Sequence, residues 1–358
     1  MYQLGKSVST EGHAARPTRE RVASAGYAAM AYWYYRWDWG EAVALDGLLA
    51  AGRRYALPAC VQWVTDEVGA WVDREQPGQR PHVLGPAVAL LDVLESGVLG
   101  ADEASRGWDL AARLTAEVVS SSRSTGALTP EVDRNMVFVD SLYGLPEFLV
   151  RFADSTGDTD LVSTVVALVV GHCRALQRDD GLFAHCADLG DPSVPAIAWG
   201  RGNGWAVLGL TRFLDVLGRE RVERELVERY GRLTHALLTH QEAGGRWRNL
   251  VDDPHSYPEA STTAMASAAF TQAARGGLLS AEFRAAADAA WESVADRIDT
   301  SGFLVGVSYR PGVNTDPRRY EHTPVVGSYP WGQGPYLLAA AQRAPDPSAD
   351  ATHSGGRP

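Results

Sequence analysis

"WGRGNGWAVLGLTRFLDVLG", residues 199–218, joins a run of small residues to an apolar pattern with helical spacing. Its first seven positions hold three glycines, an arginine, an asparagine and two tryptophans. Each glycine inside a helix is less favourable than alanine by about 1 kcal/mol. A helix that begins this way therefore predicts a special environment at its start, because its own propensity does not favour it.

The same combination recurs along the chain. Five further stretches rich in Gly, Ala or Ser with helically spaced apolar residues begin at Trp39, His82, Met136, Ser261 and Trp331. Between them lie six more highly charged amphipathic stretches, at residues 18–36, 55–74, 103–120, 160–177, 219–240 and 280–299. Amphipathic helices expose one polar face, whereas helices of small residues suit crowded interiors. The alternation predicts an all-α protein, an (α/α)6 barrel of six inner and six outer helices.

In such a barrel the starts of the inner helices form a bowl, and two interpretations of the glycines follow. Missing side chains would let a ligand approach the backbone, where the free N–H groups of a helix start favour an anion. Alternatively, the glycines serve close packing between inner helices. The composition alone leaves both interpretations open.

The composition narrows the class of protein. The 358 residues carry 33 basic and 44 acidic side chains, a net charge of −11, without a long basic run, so we expect no nucleic-acid partner. We also expect no membrane span and no signal peptide. Three widely spaced cysteines favour reduced thiols, no metal site and a cytoplasmic location. The expected organisation is a flexible N-terminus (1–17), one barrel domain (18–343) and a disordered tail (344–358).

Aromatic and isolated polar residues gather at the predicted bowl. Aromatic faces stack on sugar C–H groups, polar groups take the hydroxyls, and an arginine suits a carboxylate. Asp140 is one acid in the apolar run "MVFVDSLYGL", and a desolvated carboxylate suits a general acid near neutral pH. A structural aspartate that caps a neighbouring helix is the alternative. The candidate binding residues are Arg201, Trp205, His185, Asn203, Trp37, Trp39, His82, Glu259, Ser261, Thr262 and Trp331.

Five motifs make the chain resemble a known group of enzymes. These motifs are "WGRGNGWA" (199–206), "FVDSLYGLPEFL" followed by "TGD" (138–158), "YPEASTTAMA" (257–266), "GQGPYLLAA" (332–340) and "WDWGEAVALDGLLAA" (37–51). From about residue 27 to 342 the sequence is similar to the unsaturated glucuronyl and rhamnogalacturonyl hydrolases, glycoside hydrolase families 88 and 105, and more to the latter. The resemblance also implies an (α/α)6 barrel.

The resemblance implies an unusual reaction on an acidic sugar substrate. These enzymes act on a terminal uronic acid with a C4=C5 double bond. An aspartate protonates C4, the same aspartate helps water add at C5, and the resulting hemiketal rearranges to release the remaining sugar. Asp140 matches that aspartate, Arg201 and Trp205 match residues that hold the carboxylate and stack on the ring, and His185 matches a site histidine. No metal or organic cofactor is implied.

The sequence departs from the family pattern at one position. The family usually has a second aspartate where this chain has Val83, in "PHVLGPA". Valine accepts no hydrogen bond, so His82 or another group substitutes, the substrate differs, or the reaction is impaired. Two alternatives to an unsaturated uronyl hydrolase therefore stay open. One is a diverged barrel enzyme that protonates another alkene or enol ether, and the other is a non-catalytic carbohydrate-binding barrel. We expect the protein to be a monomer or a homodimer.

Overall fold

The computed structural model describes residues 17–32, 39–75, 86–129, 135–312 and 316–344, except for the side chains of Trp39 and Arg219. Six outer helices are α1 (Arg19–Met30), α3 (Pro58–Arg74), α5 (Ala101–Ser122), α7 (Thr159–Leu176), α9 (Arg224–Thr239) and α11 (Ala281–Ala295). Six inner helices are α2 (Trp39–Arg54), α4 (Ala87–Ser96), α6 (Leu145–Thr156), α8 (Gly200–Leu217), α10 (Ala260–Arg275) and α13 (Pro330–Gln342). A short helix, α12 (Pro317–Glu321), precedes α13.

The inner helices close into a ring. Each packs against the next in the order α2, α4, α6, α8, α10 and α13, and α13 packs back on α2. Helix α8 is deeply enclosed, since all residues from Gly200 to Thr211 are buried, and α10 is buried in the same way from Ala260 to Thr271. The predicted alternation of inner and outer helices and the all-α (α/α)6 barrel are confirmed.

One predicted inner helix is wrong in its first half. The stretch from Met136 forms strand β1 (Met136–Phe138) and then a 3-10 turn (Val139–Leu142) before α6 begins. Strand β1 pairs antiparallel with β2 (Cys186–Asp188). The β-branched and aromatic residues of "MVFV" favour a strand, and Gly144 at φ 78° interrupts the helix.

The glycines of α8 and α13 serve packing, so their interpretation as clearance for a ligand is wrong. A β-carbon on Gly200 would lie 2.2 Å from the carbonyl oxygen of Arg248. On Gly334 it would lie 2.3 Å from the carbonyl oxygen of Val43 in α2. The first N–H of α8 is also used, because Gly200 donates to the carbonyl of Asn249 at 2.7 Å. Glycine is needed here because helices and loops approach closer than any side chain allows.

The cysteines, the most apolar helix and the ends of the chain bear on the predictions made from composition. Cys60, Cys173 and Cys186 are buried free thiols. Within the described residues, α7 is the one helix whose length and hydropathy would suffice to cross a membrane, and half of it is buried in the barrel. The predicted flexible N-terminus and disordered tail lie outside the described residues, apart from Pro17 and Ala344.

Candidate active site

Asp140 lies on the 3-10 turn between β1 and α6, at the end of the barrel where inner helices begin. The turn is fixed by its backbone: Val139 donates to the carbonyl of His185 at 2.9 Å, and Tyr143 donates to the carbonyl of Asp140 at 3.0 Å. The Asp140 side chain is 14% exposed. Its Oδ2 atom is buried and has no hydrogen-bond partner among the described residues. The Asp140 carboxylate therefore keeps one hydrogen-bond acceptor that no described donor uses.

His185 faces Asp140 across the site. Its Nε2 lies 3.6 Å from Oδ2 of Asp140, and its Nδ1 lies 2.6 Å from the hydroxyl of Tyr320 in α12. If the tyrosine donates to Nδ1, the imidazole proton sits on Nε2 and points to the carboxylate. This tautomer is favoured, since the opposite one would turn a nitrogen lone pair toward a carboxylate. Trp199 packs beside the imidazole, with ring centroids 4.6 Å apart.

Arg201 projects from the first turn of α8 and is wholly buried. Its Nη1 donates to the carbonyl and hydroxyl of Ser308 at 3.0 and 2.8 Å, and its Nη2 donates to the carbonyl of Tyr309 at 2.8 Å. Its guanidinium also lies 4.5 Å from the centroid of Trp199. Burial lowers the pKa of the Arg201 guanidinium, and the Glu259 carboxylate opposes that change. Its Nε is buried and has no hydrogen-bond partner among the described residues. The contact with a uronate that the resemblance implies stays a prediction.

Glu259, Ser261 and Thr262 form a buried network at the start of α10. The Glu259 carboxylate caps the helix: it accepts from the Thr262 N–H at 2.7 Å and from both hydroxyls at 2.7 to 2.9 Å. It also accepts from the Ser308 N–H at 2.8 Å and lies 3.5 Å from Nη1 of Arg201. All three residues have zero exposure, so they present no surface to a sugar. Their contact with a substrate stays a prediction.

The remaining described candidates are also largely internal. The Asn203 side chain accepts from the backbone N–H of Phe183 at 2.8 Å and donates to the carbonyl of Phe183 at 3.0 Å. These two bonds fix the loop before His185. Trp205 is 1% exposed, and its ring lies 5.0 Å from that of Tyr143. Trp331 is 4% exposed and donates to the carbonyl of Ser308 at 3.1 Å. Their predicted sugar contacts are not tested by these positions.

Some candidates fall where the structure gives no description. Trp37 and His82 lie outside the described residues, as does Val83, the position that departs from the family pattern. Trp39 begins α2, but its side chain is not described.

Two polar residues of the site region were missed. Tyr320 meets His185 only through the tertiary fold, 135 positions away, and no local motif marks it. Asp46 in α2 accepts from the Tyr143 hydroxyl at 2.6 Å, and its Oδ1 has no hydrogen-bond partner in the described part of the chain. Burial raises the pKa of the Asp46 carboxyl to about 7, against the attraction of Arg212. A lone acid in the apolar run "AVALDGLL" was the available signal for Asp46.

No cluster of three or more His, Cys, Asp or Glu side chains that could hold a metal ion occurs among the described residues. Cys186, next to His185 in sequence, is a thiol whose pKa burial raises to about 11. The chemistry that the described site offers is therefore that of a carboxyl group and an imidazole, enclosed by aromatic rings.

Comparison with known proteins identifies the family. Residues 26–345 match Glycosyl Hydrolase Family 88. The chain belongs to glycosyl hydrolase family 88. The prediction of a glycoside hydrolase is thereby confirmed, and with it the resemblance on which the site assignments rest.

Three relatives illustrate this membership. The unsaturated rhamnogalacturonyl hydrolase YesR of Bacillus subtilis is 28% identical over 169 residues, which cover 46% of this chain and 47% of that protein. A possible member of glycoside hydrolase family 105 from Salmonella enterica superposes with a TM-score of 0.81 at 19% identity, covering 96% of this chain and 98% of that one. The unsaturated glucuronyl hydrolase of Bacillus sp. GL1 superposes at 0.66 with 17% identity, covering 90% and 96%. The two structural likenesses support the barrel fold.

Proposed function

We propose that this family 88 enzyme hydrolyses unsaturated uronyl oligosaccharides by hydrating the C4=C5 double bond, with Asp140 as the general acid and then the general base. The observation that carries the proposal is the Asp140 carboxylate. Its buried Oδ2 has no hydrogen-bond partner among the described residues and lies 3.6 Å from Nε2 of His185. The names of the relatives, a rhamnogalacturonyl and a glucuronyl hydrolase, support the substrate class.

The geometry favours hydration over ordinary glycoside hydrolysis. Ordinary hydrolysis uses two carboxyl groups that flank the glycosidic bond. Near Arg201, the other acid among the described residues is Glu259, which is fully buried and bonded to four neighbouring groups. Of these two described acids, Asp140 alone keeps an unpaired oxygen, and one carboxyl group suffices for vinyl-ether hydration because the acid that gives its proton becomes the base for the second step.

In the proposed reaction, protonated Asp140 gives its proton to C4 and positive charge develops at C5. Water adds at C5 while the Asp140 carboxylate takes a proton from it, which restores the acid. The hemiketal then opens between C5 and the ring oxygen, and the hemiacetal left at C1 expels the remaining sugar as an alcohol. His185, held by Tyr320, orients the carboxylate through its Nε2–H.

A structural role for Asp140 fits the geometry less well. A helix-capping aspartate accepts backbone N–H groups, as Asp158 does from Leu161 at the start of α7. No such bond is made by Oδ2 of Asp140 within the described residues. The proposal of a non-catalytic sugar-binding barrel therefore lacks the contact it needs. A cytoplasmic location stays part of our proposal, on the ground of three buried free thiols.

The test is turnover of a panel of unsaturated uronyl disaccharides, followed by loss of their ultraviolet absorbance. Because Asp140 is the acid, Asp140→Asn is expected to lower kcat about 100- to 10,000-fold without changing the melting temperature much. Asp154→Asn is the matched control, since Asp154 pairs with Arg221 at the far end of α6. A wild-type enzyme silent on the whole panel, or an active Asp140→Asn variant, would contradict the proposal.

A further inference from the structure

Asp46 is a buried acid to which the proposed reaction gives no role. It lies in the middle of α2, its Oδ2 accepts from the Tyr143 hydroxyl at 2.6 Å, and its Oδ1 has no hydrogen-bond partner among the described residues. A buried carboxyl group with an unused oxygen destabilises a fold, and an apolar side chain of similar shape would avoid that penalty. Exceptions of this kind are expected at functional sites.

The charged groups that act on Asp46 come from three other inner helices. Arg212 in α8 attracts its carboxylate, whereas Glu147 in α6 and Asp92 in α4 repel it. The Arg212 guanidinium bonds Glu147, with Nη2 3.0 Å from Oε1. Among the described hydrogen-bond donors, the Tyr143 hydroxyl is therefore the one that Asp46 engages.

The Asp46–Tyr143 bond crosses the inside of the barrel. Asp46 belongs to α2, Tyr143 lies just before α6, and α4 stands between these two helices in the inner ring. Tyr143 also follows directly on the 3-10 turn, and its N–H donates to the carbonyl of Asp140 at 3.0 Å. The side-chain bond therefore ties the turn that carries Asp140 to the wall formed by α2.

The ring of Tyr143 extends this connection to α8. It lies 5.0 Å from the ring of Trp205, at an angle of 47°, and both residues are buried. An aromatic pair in a filled interior has few alternative positions, so the orientation of one ring limits that of the other. A change in the direction of the Tyr143 side chain would thus reach both Trp205 and the backbone of Asp140.

We propose that Asp46 is a positioning residue for the reaction: through its bond to the Tyr143 hydroxyl, it fixes the turn that carries Asp140 and the ring that packs on Trp205. This inference rests on the proposed function, because the bond has this role only if Asp140 acts on the substrate. Asp46 acts through Tyr143 and needs no contact with the sugar. Since a misplaced acid slows proton transfer even when the substrate still binds, the bond should affect kcat more than KM.

The experiment separates the bond from the stability of the barrel. Asp46→Asn keeps an oxygen that accepts from Tyr143, whereas Asp46→Leu and Tyr143→Phe remove the bond. Kinetics are run at one pH below the Asp46 pKa of about 7, where the carboxyl group is protonated and Asn resembles it most. Tyr336→Phe is the matched control, because Tyr336 is buried, packs on Trp291 at 5.3 Å and bonds the carbonyl of Ala295 at 3.2 Å.

We expect Asp46→Leu and Tyr143→Phe to lower kcat about 10- to 100-fold with little change in KM. Asp46→Asn and Tyr336→Phe should keep most of the wild-type kcat. The double variant Asp46→Leu/Tyr143→Phe should be no slower than the slower single variant, since both changes remove the same bond. It should also be at least as stable to urea as Tyr143→Phe, because it leaves no carboxyl group unpaired. Losses of kcat that add in the double variant, or that follow stability across all variants, would overturn the inference.

A second readout does not depend on turnover. In protein labelled with fluorotryptophan, Trp205→Phe identifies the ¹⁹F NMR signal of Trp205. This signal should shift in Asp46→Leu and in Tyr143→Phe, and should stay in place in Asp46→Asn and Tyr336→Phe. An unmoved Trp205 signal in Asp46→Leu would overturn the inference. A wild type without turnover would contradict the proposed reaction alone, and the Trp205 signal would then decide whether the bond positions this part of the barrel.

Discussion

Hydrogen bonds fix the residues around Asp140 but leave one oxygen of its carboxylate without a partner among the described residues. His185 is fixed on one side by Tyr320 at 2.6 Å, and Tyr320 is itself held by Asn249, whose side chain donates to its carbonyl at 2.7 Å. A side chain that is locked by its neighbours needs no reorganisation when the substrate binds. At this scale, the position of the Asp140 carboxylate depends on residues remote in sequence.

Tyr320→Phe tests this dependence. The change removes the hydroxyl that sets the His185 tautomer, so kcat should fall about 10-fold, the effect of one hydrogen bond. Tyr230→Phe is a matched control, because the Tyr230 hydroxyl is buried and bonds Thr211 at 2.8 Å away from the site. Steady-state kinetics and urea unfolding on both variants give the answer. We expect both variants to lose a similar amount of stability, and only Tyr320→Phe to lose kcat. An unchanged kcat in Tyr320→Phe would contradict the role of the tyrosine.

At the scale of the elements, glycines allow inner helices to touch the backbone of their neighbours. Gly209 in α8 is an example, because a β-carbon there would lie 2.0 Å from the carbonyl oxygen of Leu142. Leu142 ends the 3-10 turn that carries Asp140. A helix–backbone contact therefore sets the height in the barrel of the turn that carries Asp140.

Gly209→Ala should consequently reduce both stability and activity. Overpacking of a filled interior costs about 1–3 kcal/mol, and a shift of the turn should lower kcat as well. Gly231→Ala is the control, since Gly231 lies inside α9 with open space beside it. That change should raise stability by about 0.5–1 kcal/mol and leave kcat unchanged. Chemical unfolding and kinetics on the two variants check the prediction; an inert Gly209→Ala would refute the close contact.

Much of this architecture follows from local pattern, and some of it does not. The alternation of charged and small-residue stretches predicts twelve helices around one barrel because each pattern reflects burial on one or all faces. The glycines of residues 199–218 were the uncertain point, because close packing and ligand clearance demand the same residue. The pairing of β1 with β2 and the partner of His185 depend on contacts between distant segments, which no local spacing reveals.

At the scale of the whole molecule, charged side chains tie neighbouring inner helices together. Arg151 in α6 pairs with Asp92 and Glu95 of α4 at 2.7 and 2.6 Å, and Arg212 in α8 pairs with Glu147 of α6 at 2.5 Å. Glu147 is the most buried of these partners, and removal of Arg212 would leave its carboxylate without that pairing in a poorly solvated place. Asp46 lies near Arg212, so its protonation is coupled to these ion pairs.

Asp46 makes stability depend on pH. Its folded-state pKa of about 7 lies above the ordinary value of 3.8, so the folded protein binds the proton more tightly than the unfolded chain does. The stabilisation from this proton is complete below the lower value and is lost as pH rises through about 7. Asp46→Asn removes this dependence. Relative to that variant, the wild type should lose on the order of 2–3 kcal/mol of unfolding free energy between about pH 5 and about pH 8.

Urea unfolding of the two proteins at both pH values measures this difference, and other titrating groups cancel in the comparison. Asp154→Asn, at an exposed ion pair, keeps Asp46 and should therefore show the same pH dependence as the wild type. Parallel pH profiles for the wild type and Asp46→Asn would show that the Asp46 carboxyl does not hold a proton in the folded state.

The most direct test of the central claim is to run the reaction in D₂O and follow the product by NMR. If Asp140 protonates C4, the wild type should place one deuterium on a single face of C4, at the rate at which the double bond disappears and the second sugar is released. Asp140→Asn should do none of these. Release of the second sugar ahead of loss of the double bond, or deuterium on both faces of C4, would contradict hydration by Asp140.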